Sequence, residues 1–99
     1  MAHGGNKERE RQAMTIRYSK RFVKQLAKQP PKIHIAFIAR IDIFMANPYD
    51  PILRNHPLQG KLKGMYSINI TGDIRAIYEV IGDEVYVYEM IGAHSQLYK

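Results

Sequence analysis

The 99-residue sequence predicts one α+β domain: two N-terminal helices on one face of an antiparallel-rich four-stranded sheet, in the order β-α-α-β-β-β. Three observations predict it. Apolar residues recur at helical spacing over residues 20–46 and alternate as in strands over residues 66–91. A proline-bearing stretch separates the two halves. A chain of 99 residues is near the lower end of what supports its own core, and no repeat or second domain is visible.

Residues 1–13 are polar, contain glycine and lack an apolar period, so a flexible tail is expected before a folded unit at residues 14–99. Thr15-Ile16-Arg17-Tyr18 alternates and reads as a short strand. Ser19 suits a helix N-cap, and Phe22, Val23 and Leu26 then form an apolar stripe, with Lys20, Arg21, Lys24 and Lys28 mostly outside it. Pro30-Pro31 stops that helix and opens the next, because proline is tolerated in a first turn. Ile33, Phe37, Ile41 and Phe44, flanked by Ile38 and Met45, give the second helix a broad apolar face that ends at Asn47-Pro48. Residues 49–63 read as a loop long enough to be functional.

The remaining strands are set in register by their faces. A two-residue Gly82-Asp83 turn of type II′ pairs Val80 with Val85, Tyr78 with Val87 and Ile74 with Ile91 on one face. The opposite face receives Glu79 with Tyr86, Ile77 with Tyr88 and Arg75 with Met90. A three-residue Thr71-Gly72-Asp73 loop puts Tyr66, Ile68 and Ile70 on the first face, and Ser67 and Asn69 on the second, with Asn69 opposite Arg75. The first face is an apolar floor for the helices. The second is mixed and expected to be open.

Net charge is +6, and residues 11–40 contain no acidic residue while cations accumulate. Such a field attracts polyanions; a solvated helix face that keeps a small protein soluble is the competing reading. Absence of cysteine excludes a disulfide framework and thiolate chemistry. No apolar run approaches the roughly 20 residues a membrane span needs. The start, Met1-Ala2-His3-Gly4-Gly5, does not resemble a secretory signal, so a cytoplasmic location is expected.

The residues fit for chemistry gather in the last third. His94 follows Gly92-Ala93 where the last strand runs out, and imidazole exchanges protons near neutrality. Arg75, mid-strand on the mixed face, can hold a phosphate in a fork; an ion pair with Glu79 is the plainer alternative. Asp73 sits at a turn, where aspartate is also common for structural reasons. His56 is a second candidate acid or base, Lys61 and Lys63 can neutralise an RNA backbone, and Tyr88 and Tyr98 can stack on an exposed base. His34, His56 and His94 are far apart in sequence and no short ligand spacing occurs, so neither a metal site nor a cofactor is expected. In a basic, cysteine-free chain this set reads as an RNA-cleaving site.

Three segments carry a family resemblance: His56-Pro57-Leu58 followed by Gly60-Lys61-Leu62; Gly72-Asp73-Ile74-Arg75-Ala76-Ile77-Tyr78; and Ile91-Gly92-Ala93-His94-Ser95-Gln96-Leu97-Tyr98. With the order of elements over residues 15–98, they resemble the RelE/YafQ group of bacterial toxin endoribonucleases. The resemblance implies a toxin of a type II toxin–antitoxin system that enters the ribosomal A site and cuts messenger RNA, and an antitoxin partner that masks its basic surface. It implies that His56, Asp73, His94 and the ring of Tyr98 belong to the site. The positions of Asn69 and Met90 are often histidine and arginine in such relatives, and here they are not. In the expected reaction a 2′-hydroxyl attacks its own 3′-phosphate without metal. His94 is the acid, His56 or Asp73 the base, Arg75 and Lys61 stabilise charge, and Tyr98 positions the base of the RNA. The rival readings are a ParE-like toxin that inhibits gyrase without cleavage, and a non-toxic basic nucleic-acid-binding module.

Overall fold

The computed structural model describes residues 14–97. The expectations for residues 1–13 and for Tyr98 concern positions outside this range. The described chain forms β1 (Thr15–Tyr18), α1 (Lys20–Ala27), α2 (Pro31–Ala46), β2 (His56–Pro57), β3 (Tyr66–Asn69), β4 (Ile74–Ile81), β5 (Val85–Ala93) and a one-turn helix α3 (His94–Leu97). The strands make one sheet in the order β1-β5-β4-β3-β2, with β1 parallel to β5 and the other neighbours antiparallel. No helix among the described residues is long and apolar enough to cross a membrane.

The helices form where the sequence places them. The Ser19 hydroxyl accepts the Phe22 amide at 3.0 Å and donates to the Glu89 carbonyl at 3.1 Å, so the cap of α1 is also its tether to β5. Phe22 is buried, as are Ile33, Phe37, Ile41 and Phe44 of α2. The apolar faces are narrower than expected: Val23, Ile38 and Met45 are exposed, because each helix meets the sheet on one side only.

The sheet has five strands rather than four. His56–Pro57, read as loop, adds an edge strand on β3, with His56 opposite Ser67 and Pro57 opposite Tyr66. Proline fits there because an edge strand need not donate on its outer side. The β3–β4 register is the expected one, Asn69 opposite Arg75 included.

The β4–β5 register is not. Ile81 pairs with Val85 across a three-residue turn, and Gly82 takes a left-handed φ of 63° that suits glycine. Three pairs further along, Tyr78 pairs with Tyr88 but Ile77 pairs with Met90, so Glu89 is an extra residue and β5 bulges there. The consequence corrects one site assignment. Tyr88 is buried at 0% exposure among Phe22, Phe37, Phe44 and Tyr78, and as folded it offers no ring to a nucleic-acid base. Alternating Val-Tyr-Val-Tyr is apolar in either phase; the phase that buries the larger aromatic area wins. Beyond the bulge the phase reverts, so Ile91 also joins the helix-side core.

The second face is only partly open. Leu58, Ile77, Met90 and Leu97 form a small separate core on it, with Leu62 and Met65 packed alongside. This cluster is what positions the site. Leu58 lies two residues after His56 and Leu97 three after His94, so one apolar foundation anchors both histidine-bearing segments.

Candidate active site

On the second face the strand order becomes a row of side chains. His56 stands on β2, Asn69 on β3, Arg75 on β4, and His94 begins the turn that follows β5. Together with Arg54 they line a cleft of about 360 Å³. Gly92, opposite Arg75, contributes no side chain to the floor.

His56 is fixed by its own turn. Its Nδ1 lies 2.7 Å from the Arg54 carbonyl oxygen. A carbonyl can only accept, so the proton of the neutral ring is on Nδ1 and Nε2 carries the free lone pair. The turn is braced by Asn55, whose amide donates to the Pro48 carbonyl at 2.9 Å and whose oxygen accepts the buried Tyr78 hydroxyl at 3.0 Å.

His94 is placed by α3. The Gln96 side-chain oxygen accepts the Ala93 amide at 3.1 Å, and Leu97 seats the turn on the small core. Gly92 makes this close return possible: a Cβ there would stand 3.3 Å from Gln96 Oε1 and 3.4 Å from Leu97 Cδ2. The His94 amide donates to the Asp73 carbonyl at 3.4 Å, linking this turn to the β3–β4 loop.

Arg75 is not paired with Glu79. Its Nη1 donates to the carbonyls of Gly72 at 3.1 Å and Thr71 at 3.4 Å, which lock the guanidinium against the β3–β4 turn. The Thr71 hydroxyl in turn accepts the Ile74 amide at 3.1 Å. Glu79 lies instead beside Glu89. A hydrogen bond between the two carboxyl groups, partial burial and like charge all push its pKa up. Arg75 thus keeps donors for an anion in the cleft.

The other expected residues lie elsewhere. Asp73 is exposed at its turn and lines a different cavity, together with Pro30 and Lys32 at the start of α2. Lys61 and Lys63 are exposed on and just after the short 3₁₀ turn Gly60–Leu62, and neither lines the cleft. Met90 is buried in the small core, so the cation on this face comes from β4. Among the described residues no three His, Asp or Glu side chains gather as metal ligands would. Sequence reasoning missed Arg54 as a site residue and gave Asn69 no role. No periodicity signals Arg54, which sits in a left-handed conformation just before a two-residue edge strand.

Buried hydroxyls on the helix side mark how dry the main core is. Desolvation pushes the Tyr78 pKa up to about 12, against a lowering by the bond to Asn55, and burial raises Tyr88 further still.

Comparison with known proteins gives the family and the fold. The family model described as bacterial toxin of type II toxin-antitoxin system, YafQ, matches residues 12–99. No curated protein sequence matches the chain. The crystal structure of YafQ from E. coli strain BL21(DE3) is similar with a TM-score of 0.72 at 25% identity, covering 87% of this chain and 99% of that one. The E. coli DinJ-YafQ complex matches with a TM-score of 0.65 at 23% identity, over 87% of this chain and 99% of that chain. The YoeB/ParE toxin from Agrobacterium tumefaciens matches at 0.69 and 18% identity, over 82% of this chain and 99% of its own. At these last two identities the likeness shows the fold. With a family match running through every strand and helix described above, the chain belongs to the YafQ family of toxins of type II toxin–antitoxin systems.

Proposed function

We propose that this toxin is an endoribonuclease that cleaves messenger RNA on the ribosome by attack of a 2′-hydroxyl on its own 3′-phosphate. The observation that carries the reading is the row His56–Asn69–Arg75–His94 across four neighbouring elements, with a proton-transfer group at each end and an arginine between. In-line displacement needs that arrangement: a base where the nucleophile loses its proton, an acid on the far side, and fixed positive charge at the phosphate.

The tautomer of His56 supports it as the base, since Nε2 has the lone pair. His94 is the acid that protonates the departing 5′-oxygen. Arg75, held by Thr71 and Gly72, meets the growing charge on the phosphate without having to reorganise. No step calls on a metal ion. Asp73 acts through its backbone on the His94 turn, while Lys61 and Lys63 serve as outlying charges for the RNA strand. The inventory in the cleft is sparse, and this supports a role for the ribosome in bending and orienting the RNA.

The partner we propose is an acidic antitoxin, as the complex of E. coli YafQ with DinJ suggests by likeness. Exposed Lys20, Arg21, Lys24 and Lys28 of the acid-free region and exposed Ile35 and Ile38 of α2 suit a chain that folds as it binds. The test is incubation of purified protein with programmed ribosomes and with naked RNA. Discrete cuts on ribosomes and weak cutting of naked RNA are expected. No cutting of either, together with blocked supercoiling by gyrase, would overturn the reading.

A further inference from the structure

We propose that Arg54 serves the cleft twice: its guanidinium holds the scissile phosphate, and its left-handed backbone aims the carbonyl that fixes the His56 tautomer. The proposal rests on the reading of the cleft as an RNA-cleaving site. It starts from an outlier of the backbone. Arg54 has φ 49° and ψ 44°, and it is the one non-glycine residue at positive φ among the described residues. Glycine or asparagine takes such a position at little cost, whereas arginine is disfavoured there by its Cβ. A disfavoured residue at the rim of a cleft needs a reason that backbone geometry alone does not supply.

The conformation has a definite use. It follows the 3₁₀ turn Pro51–Leu53, whose Leu53 is buried in the main core, and it reverses the chain before the edge strand begins. The reversal lets the Arg54 carbonyl meet a ring only two residues ahead, at 2.7 Å, and so leaves Nε2 of His56 as the basic nitrogen. The side chain has a separate use. Arg54 lines the same cleft as His94, Asn69 and Arg75, so two arginines rather than one border it. Phosphate gains more negative charge as the 2′-oxygen attacks, and forked donors on more than one side match that change.

The two uses separate in two variants. Arg54→Gly keeps the left-handed backbone and the carbonyl but removes the guanidinium. Arg54→Lys keeps a positive charge. The probe is a 2′-O-methyl oligoribonucleotide, which binds but cannot be cut by 2′-hydroxyl attack. Arg54→Gly should melt at or above the wild-type temperature and should show the same His56 tautomer in nitrogen-detected imidazole spectra. Its affinity for the probe should fall about 10- to 100-fold, as loss of one charge-assisted contact does. The slope of affinity against salt should drop by about 0.7, one phosphate contact on a single strand. Arg54→Lys should recover the salt slope and part of the affinity.

Wild-type probe binding and salt slope in Arg54→Gly would overturn the phosphate role. A proton on Nε2 of neutral His56 in the wild-type protein would overturn the backbone role. Both readouts are independent of turnover, so they can fail while wild-type protein still cuts programmed ribosomes. Conversely, a wild-type protein that cuts no RNA overturns the underlying function, whatever Arg54 does.

Discussion

Leu97→Ala tests how the site is built. Leu97 is 9% exposed and rests with Leu58, Ile77 and Met90 on the second face of the sheet. Truncating a buried leucine to alanine costs about 2–5 kcal/mol, and the lower end applies where surrounding groups can close over the gap, as they can at the edge of this small cluster. A single helical turn has almost no stability of its own. Leu97, the Gln96 cap on Ala93 and the bond from the His94 amide to the Asp73 carbonyl therefore carry this turn, and Leu97 is its apolar anchor. A loss of about 2 kcal/mol multiplies the population with a displaced α3 about 30-fold. Cleavage on programmed ribosomes should fall by about an order of magnitude, and thermal melting should drop by roughly 8–16 °C. Assayed well below that melting point, the variant should remain folded by circular dichroism yet cut slowly. Wild-type cleavage together with a lowered melting point would refute the claim that this foundation positions His94. An unchanged melting point would refute the packing itself.

Other perturbations separate the remaining parts. Arg75→Lys cannot reproduce a fork held by two carbonyls, and cleavage should fall about tenfold or more in single-turnover assays while melting changes little. Tyr78→Phe removes the bond to Asn55 and should cost about 1 kcal/mol in urea unfolding. Because burial raises the pKa of folded Tyr78 from 10.0 to about 12, the stability its protonated ring contributes is intact below pH 10 and is lost as pH rises through about 12, a loss that urea unfolding across this range should show and that Tyr78→Phe should lack. Glu79→Gln runs the other way. The folded Glu79 pKa is raised above 4.5, so the favourable state lies at acid pH and is lost as pH rises; at neutral pH the variant should be more stable by a few tenths of a kcal/mol, a gain that fades on acidification.

The sequence was most legible where one choice of face buried far more apolar surface than the other. Phe37, Ile41 and Phe44 declare the inner side of α2, and Ile68, Ala76 and Tyr78 fix β3 against β4. It was least legible in β5. Val85, Tyr86, Val87 and Tyr88 suit either face locally, and nothing in Glu89 announces that it is an extra residue. That ambiguity hid the burial of Tyr88. It also hid the small second core, because Met90 and Leu97 look like surface residues until the loop bearing Leu58 is folded over them. His94 and Arg75 could be singled out because charged and imidazole groups stand out beside glycine and alternating apolar residues. Arg54 could not, since its meaning depends on a backbone reversal and on an edge strand of two residues that no periodicity reveals.

The central claim is that His56 and His94 form a proton-transfer pair across one phosphate, and a pH–rate profile of single-turnover cleavage on programmed ribosomes tests it most directly. A base that must be unprotonated and an acid that must be protonated give a bell-shaped profile. His56→Ala should lower the rate about 10²–10⁴-fold and remove the acidic limb; His94→Ala should lower it comparably and remove the alkaline limb. Retention of both limbs in either variant, or cleavage at the wild-type rate, would contradict the account.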